Sequence, residues 1–249
     1  MLSIRGLWKQ FGDQLVLRGI DLDMPSGKTT AIIGRSGCGK TVLLKHCIGL
    51  LKPDRGSIYV DEQEISRLRK KELNVARRRF GMLFQSAALF DSLNVFDNVA
   101  FPLREKTTLR EEEIRRRTRE RLRQVDLEEM AHKYPAELSG GMKKRVGLAR
   151  ALVMDPAIIL FDEPTTGLDP LMEHAIHRLI RDTQRQFGFT AVVVSHSIPQ
   201  IFDIAHQVAL MYDGQIVAQG TPEELRASAH PVVQQFLGAT IEGPLVLDN

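Results

Sequence analysis

The stretch Gly34-Arg35-Ser36-Gly37-Cys38-Gly39-Lys40-Thr41 decides the fold. An uncharged, β-rich run, Thr29–Ile33, leads into it, and a helical pattern over 39–50 comes after it. Strand, glycine-rich turn and helix, in that order, make a phosphate-binding loop. The glycines let backbone N–H groups turn inward on an anion, and the helix start adds partial positive charge. Lys40 is placed to reach the β- and γ-phosphates of a nucleotide, and the Thr41 hydroxyl to hold Mg²⁺. A glycine-rich turn with an incidental lysine is the alternative, and the flanking strand and helix weigh against it.

Outward from this loop, short apolar runs alternate with helical patterns. Ala157–Phe161 and Thr190–Val194 are apolar on both faces, as buried parallel strands are. Helices are predicted over 39–50, 140–153, 170–187 and 198–205. The alternation predicts an α/β core with a parallel sheet. Residues 2–8, 15–24 and 56–60 read as alternating strands of an antiparallel patch. Asp213-Gly214 between Val208–Tyr212 and Gln215–Gln219 signals a hairpin. Thr221-Pro222-Glu223-Glu224 then reads as a capped helix start.

The middle, about 86–137, differs. Between Arg104 and Arg123 lie nine basic and five acidic residues, and Thr108 to Glu111 has capping-box spacing. This segment reads as a helical, solvated insertion. A membrane-surface helix is the alternative, disfavoured because acidic residues intersperse the arginines.

The 249 residues suffice for one large domain or two small ones. With 34 Lys+Arg against 31 Asp+Glu, the balance calls for no nucleic-acid partner. The longest stretch free of charged residues, Gln186–Phe202, contains Gly, His and Pro and is no spanning helix. Met1–Phe11 lacks the apolar core of a signal peptide. Two cysteines, Cys38 and Cys47, exclude a disulfide scaffold and suit a reducing cytoplasm.

Two further motifs carry chemistry. Ala157-Ile158-Ile159-Leu160-Phe161-Asp162-Glu163 delivers two carboxylates to a strand's carboxyl end, where ligands bind in open α/β sheets. Asp162 suits Mg²⁺ and Glu163 a general base for water. Leu138-Ser139-Gly140-Gly141-Met142 heads a helix and forms a second anion site, or simply a capped helix with glycines for close packing. Two such helix starts exceed the needs of one nucleotide.

The ordered set resembles an ABC-type ATPase: phosphate loop, Gln85, Leu138-Ser139-Gly140-Gly141, Asp162-Glu163, Gly167-Leu168-Asp169 and His196. The resemblance covers nearly the whole chain. It implies a P-loop, RecA-like core with an antiparallel β-subdomain (1–85 and 156–229), a helical subdomain (about 86–155) and a tail (230–249). It implies an ATP site built from Gly34, Arg35, Ser36, Gly37, Cys38, Gly39, Lys40, Thr41 and Val42. Phe11 matches the adenine-stacking aromatic, a buried core aromatic being its alternative. Gln85 matches the glutamine that senses Mg²⁺ and the attacking water, alongside Thr41 and Asp162. Glu163 and His196 match the base and the γ-phosphate switch. Ser139, Gly140 and Gly141 match the signature that binds ATP held by a second subunit, and Asp169 a loop that communicates across the homodimer.

Met82–Phe90 and Asn94–Arg104 are similar to the ATPase subunits of bacterial Mla-type phospholipid-trafficking systems. So are Met142 after the signature glycines and the tail Gln235-Phe236-Leu237-Gly238 to Gly243-Pro244. That likeness implies an integral permease, a lipid-binding MCE-domain protein and a STAS-domain protein, with the chain peripheral at the cytoplasmic face of the inner membrane. An ABC ATPase for another cargo is the alternative. Leu89, Phe90, Leu93, Val95, Phe96 and Phe101 form a docking surface or pack the helical segment internally. His174 and His177 read as surface histidines, and Lys143-Lys144-Arg145 as a solvated face.

Overall fold

The computed structural model describes residues 1–198, 200–238, 240 and 243. In chain order its elements begin with β1 (Leu2–Phe11), β2 (Gln14–Met24), β3 (Thr29–Ile33), α1 (Lys40–Cys47), β4 (Arg55–Val60), β5 (Gln63–Glu64), α2 (Lys70–Arg77) and β6 (Phe80–Leu83). Next come α3 (Val95–Lys106), α4 (Glu111–Gln124), α5 (Gly140–Leu152), β7 (Ile158–Asp162) and α6 (Pro170–Phe187). The last are β8 (Thr190–Ser195), β9 (Gln207–Tyr212), β10 (Gln215–Gly220), α7 (Pro222–Ala227) and α8 (Pro231–Gly238). They form two units, Met1–Asn74 with Thr190–Asn249, and Val75–Phe189.

The first unit carries the antiparallel patch, ordered β2-β1-β4-β5. Leu2, Ile4 and Leu7 of β1 are fully buried, and a register shift between Ile4 and Leu7 changes the phase of the strand so that Leu7 also turns inward. The unit also holds β3 between β8 and β9, parallel to both. All five residues of β3 and all six of β8 are buried, which is why these runs lack alternation. β10 returns antiparallel to β9 through Asp213-Gly214. Both turn residues have positive φ, 44° and 73°, the pair of values a two-residue hairpin of matching twist needs. Gly214 also accepts a 2.8 Å hydrogen bond from the Arg18 N–H, joining the hairpin to β2. At α7 the Thr221 hydroxyl accepts from the Glu224 N–H (3.2 Å) and Glu224 accepts from the Thr221 N–H (2.7 Å), a closed capping box.

The second unit pairs β6 with β7 in parallel and packs α3, α4 and α5 together. The charge run of α4 is a set of ion pairs. Arg104 holds Asp97 and Glu111, and Arg116 and Arg117 grip Glu113. Hydrogen bonds from Arg116 and then Arg117 pull the Glu113 carboxyl down to about 2.

Four expectations are corrected. Residues 198–205 form no α-helix. The described residues there make one 3-10 turn, Gln200–Asp203, after which the His206 N–H donates to the Thr29 carbonyl and the chain is drawn into β9; Pro199 lies outside the described residues. Thr108 does not cap α4, which starts at Glu111 after Arg110, because Glu111 is engaged by Arg104. His177 is buried, 3% exposed, on the inner face of α6 beside Ile176 and Ile180, whereas His174 is exposed. Lys144 is likewise buried, at 5%. Of the tail, 239, 241–242 and 244–249 lie outside the described residues, so Pro244 is not placed.

The apolar residues after Gln85 divide. Val95 is buried, Leu89, Leu93 and Phe96 are half-buried, and Phe90 and Phe101 are exposed with ring centroids 4.7 Å apart. The connecting loop is tied down by Asn98, which is fully buried. Its Oδ1 accepts from the Phe90 N–H (2.8 Å), and its Nδ2 donates to the carbonyls of Leu93 (2.9 Å), Asn94 (3.0 Å) and Phe90 (3.1 Å). Asn98→Leu takes the side-chain partner from the Phe90 N–H and the Leu93 carbonyl, while the Phe90 and Asn94 carbonyls keep the Leu93 and Asn98 N–H groups. The expected cost is about 2–3 kcal/mol, a fall in melting temperature of about 5–10 °C, checked by thermal unfolding.

Candidate functional site

The loop follows β3 within the first unit. Gly34 is indispensable there, since a Cβ on it would lie 2.3 Å from the Met211 carbonyl oxygen. Gly39 begins α1 with φ +102°, and a Cβ would crowd Leu17 and Met211 at 3.0 Å. A Cβ on Gly37, by contrast, would meet nothing within 4 Å, so that side of the loop faces open space. Lys40 is buried, 4% exposed, and its Nζ donates to the carbonyls of Gly34 and Arg35, both at 2.8 Å. Ser36 is exposed, and Arg35, Cys38, Thr41 and Val42 are half-buried. Beside the loop, Val16, Gly37, Cys38 and Gly214 line part of a cavity of about 350 Å³.

Parallel register fixes a neighbour. Ile33 of β3 pairs with Ser195 of β8, so the loop and His196 leave the sheet side by side at the carboxyl ends of adjacent strands. His196 is exposed. Phe11, at the end of β1, is 44% exposed with the Lys9 ammonium 5.3 Å from its ring centroid. It is not a core aromatic.

The second unit repeats the arrangement. Leu83 of β6 pairs with Phe161 of β7, which brings the following Gln85 and the pair Asp162-Glu163 to one sheet edge. Asp162 is 6% exposed. Glu163 has φ +46°, a left-handed conformation costly for this residue type, and accepts a 3.0 Å hydrogen bond from the Thr166 hydroxyl. Such strain is tolerated where a carboxylate must be aimed. Asp169 caps α6 by accepting from the Met172 N–H at 3.0 Å, with Pro170 in the first turn.

Ser139 is exposed and caps α5, accepting from the Met142 N–H at 3.3 Å. Gly141 is buried against Met172, whose Cε would lie 2.4 Å from a Cβ there. Gly140 is exposed, and a Cβ would meet only Leu168 at 3.4 Å. A Cβ on Gly141 would meet only the flexible end of Met172, so close packing demands neither glycine, and the bare backbone leaves the helix start open to an anion.

Sequence reasoning missed Lys144. Its Nζ donates to the Gln85 carbonyl, so the side chain points inward from α5. Burial pushes the ammonium down, against the upward pull of Asp162 and Glu163. A signal was available: position 144 shares a helix face with the buried 141, 147, 148 and 151. Cys47, by contrast, is pushed up to about 12 by burial and is inert.

The loop fits the phosphates of a nucleotide, with an open side at Gly37 and a lysine already bridging two carbonyls. Each unit by itself also offers hard oxygen donors of the kind Mg²⁺ takes, the Thr41 hydroxyl in the first and the Gln85 amide and Asp162 carboxylate in the second.

A family model described as ABC transporter matches residues 17–166. The chain is 44% identical over 244 residues to the probable ribonucleotide transport ATP-binding protein mkl of Mycobacterium leprae, covering 98% of this chain and 70% of that protein. It is 43% identical over 245 residues to the intermembrane phospholipid transport system ATP-binding protein MlaF of Haemophilus influenzae, covering 98% and 93%. Among solved structures it is similar to a dimeric ATP-binding cassette in a post-hydrolysis state with ADP and Pi bound. The TM-score there is 0.81 at 32% identity, covering 89% of this chain and 99% of that one.

Proposed function

The chain belongs to the ABC transporter family of ATP-binding proteins, and from that footing we propose that its ATPase activity powers phospholipid trafficking between the inner and outer membranes of a bacterium. The carrying observation is the double strand-end arrangement: loop and His196 in one unit, Gln85 and Asp162-Glu163 in the other. Each member has a task. Lys40 and the N–H groups of residues 34 to 42 spread the charge of the phosphates. Glu163 takes the proton of the attacking water while Gln85 and His196 orient water and γ-phosphate. Thr41, Gln85 and Asp162 would hold Mg²⁺, which when bound neutralises phosphate charge. Phe11 stacks on the adenine without reading its edges.

Ser139, Gly140 and Gly141 bind the γ-phosphate of ATP held by a second copy, with Asp169 beside the shared boundary. ATP then favours a closed homodimer, and loss of the bridging phosphate reopens it. The division into a core (1–85 and 156–229), a helical subdomain (about 86–155) and a tail (230–249) belongs to the same reading. Among the described residues no helix is long and apolar enough to cross a membrane. The chain works peripherally at the cytoplasmic face of the inner membrane, docked on a permease through residues 85–103, where Phe90 and Phe101 stand exposed.

Two supports favour phospholipid as cargo: the 82–104 stretch and the similarity to MlaF. The test is capture of the tagged chain from detergent-solubilised native membranes. An integral permease with an MCE-domain and a STAS-domain protein is expected. A permease lacking both, in a complex whose ATPase responds to ribonucleotides and not to phospholipid, would replace the cargo with that named for the mycobacterial relative.

A further inference from the structure

The signature helix α5 holds the loop after Gln85 by three contacts. At its start Lys144 donates to the Gln85 carbonyl. In the middle Gly147 leaves no room: a Cβ there would lie 2.6 Å from Leu83 Cδ1 and 3.3 Å from Ala87 Cβ. Further on, Arg150 donates to the carbonyls of Ala87 (2.6 Å) and Ala88 (2.8 Å). Both alanines have positive φ, 60° and 46°, so the loop sits in a conformation its own residues do not favour and the helix imposes.

The charge at position 144 needs a separate reason. A buried ammonium costs several kcal/mol unless compensated, and a neutral donor would tether one carbonyl more cheaply. Leu83 of β6 pairs with Phe161 of β7, so Asp162 and Glu163 leave the sheet beside Gln85, on whose carbonyl the ammonium is held; the upward pull of the two carboxylates on it accords with that placement. We propose that Lys144 is a positioning residue for ATP hydrolysis, fixing the Gln85 backbone to the signature helix while its charge steadies the Asp162-Glu163 pair. Movement of the signature helix is thereby passed to Gln85 and to the carboxylates as one displacement. The inference rests on the roles proposed for Gln85 and Glu163 in hydrolysis.

The test compares full-length wild type, Lys144→Met, Lys144→Arg and Lys144→Gln for kcat and for KM of ATP, with Glu163→Gln as a control. Lys144→Met should lose about tenfold or more in kcat with KM within about twofold, because the phosphate loop is untouched. Lys144→Arg, which keeps charge and donors, should regain at least about a third of wild-type kcat, and Lys144→Gln less. A Lys144→Met protein within about twofold of wild type overturns the inference, as does Lys144→Arg no better than Lys144→Met. Should melting show that Lys144→Met does not fold, Arg against Gln carries the test, and equal kcat in those two overturns it. The control separates the failures. Normal turnover by Glu163→Gln sinks the reading of the site itself, whereas an inactive Glu163→Gln beside a normal Lys144→Met sinks this inference alone.

Discussion

Glu163→Gln should bind ATP nearly as well as wild type, hydrolyse it about 10²–10⁴-fold more slowly and accumulate as an ATP-bound dimer. The substitution is isosteric. A glutamine amide can still accept from the Thr166 hydroxyl, which now sits 3.0 Å from the carboxylate. Only the basic oxygen is lost, so the effect falls on proton removal from water and not on binding. The left-handed backbone at 163 stays as it is, because amide and carboxylate side chains share the same stem. Single-turnover hydrolysis and size-exclusion chromatography with ATP and Mg²⁺ provide the two readouts. Turnover within about tenfold of wild type would remove the base assignment.

Lys40→Ala should weaken ATP binding by about tenfold to a hundredfold, the worth of a charge-assisted hydrogen bond to phosphate. Folding should survive, since the lysine's present partners are two loop carbonyls beside an open side of the loop. Its natural companion is Ser139→Asp. Aspartate caps a helix as well as serine does, so α5 should stay intact. It also places a negative charge where the γ-phosphate of a second copy is proposed to lie. Each variant alone should fail to form an ATP-stabilised dimer. Mixed, they should recover one competent site per heterodimer, from the intact loop of one chain and the intact signature of the other. Fluorescence-detected ATP binding and dimer mass report this, and no gain on mixing would count against a shared site.

Much of this architecture was legible because its signals were local. Thr29–Ile33 and Thr190–Val194 lack alternation because both faces are covered, and burial along β3 and β8 is complete. The Asp213-Gly214 hairpin and the Thr221 cap arise from backbone preferences of those very residues. What escaped depended on which way a helix face turns. Lys143-Lys144-Arg145 reads as a solvated run, yet consecutive helix positions are about 100° apart and one of three must turn inward. Asn98 carries no local signal of its role, and only the path of the loop from Phe90 to Asn94 gives it four partner groups. His177 is the same case on α6. At 198–205 the expected helix gives way to a 3-10 turn because the His206 N–H is committed to the Thr29 carbonyl as the chain enters β9, a long-range bond that no local pattern signals.

The pairing of Ile33 with Ser195 bears on how this protein can change over generations. Along β3 and β8 many apolar residues would serve, because burial asks only for volume and β-branching. The number of residues is another matter. One inserted or deleted residue in either strand shifts its downstream neighbours by about 3.3 Å and turns them to the opposite face. His196 would then leave the loop's side of the sheet, however well the rest still packed. These strands can drift in spelling but not in length, so indels should be filtered out there and tolerated at the exposed Asp126 turn, which joins no paired strands.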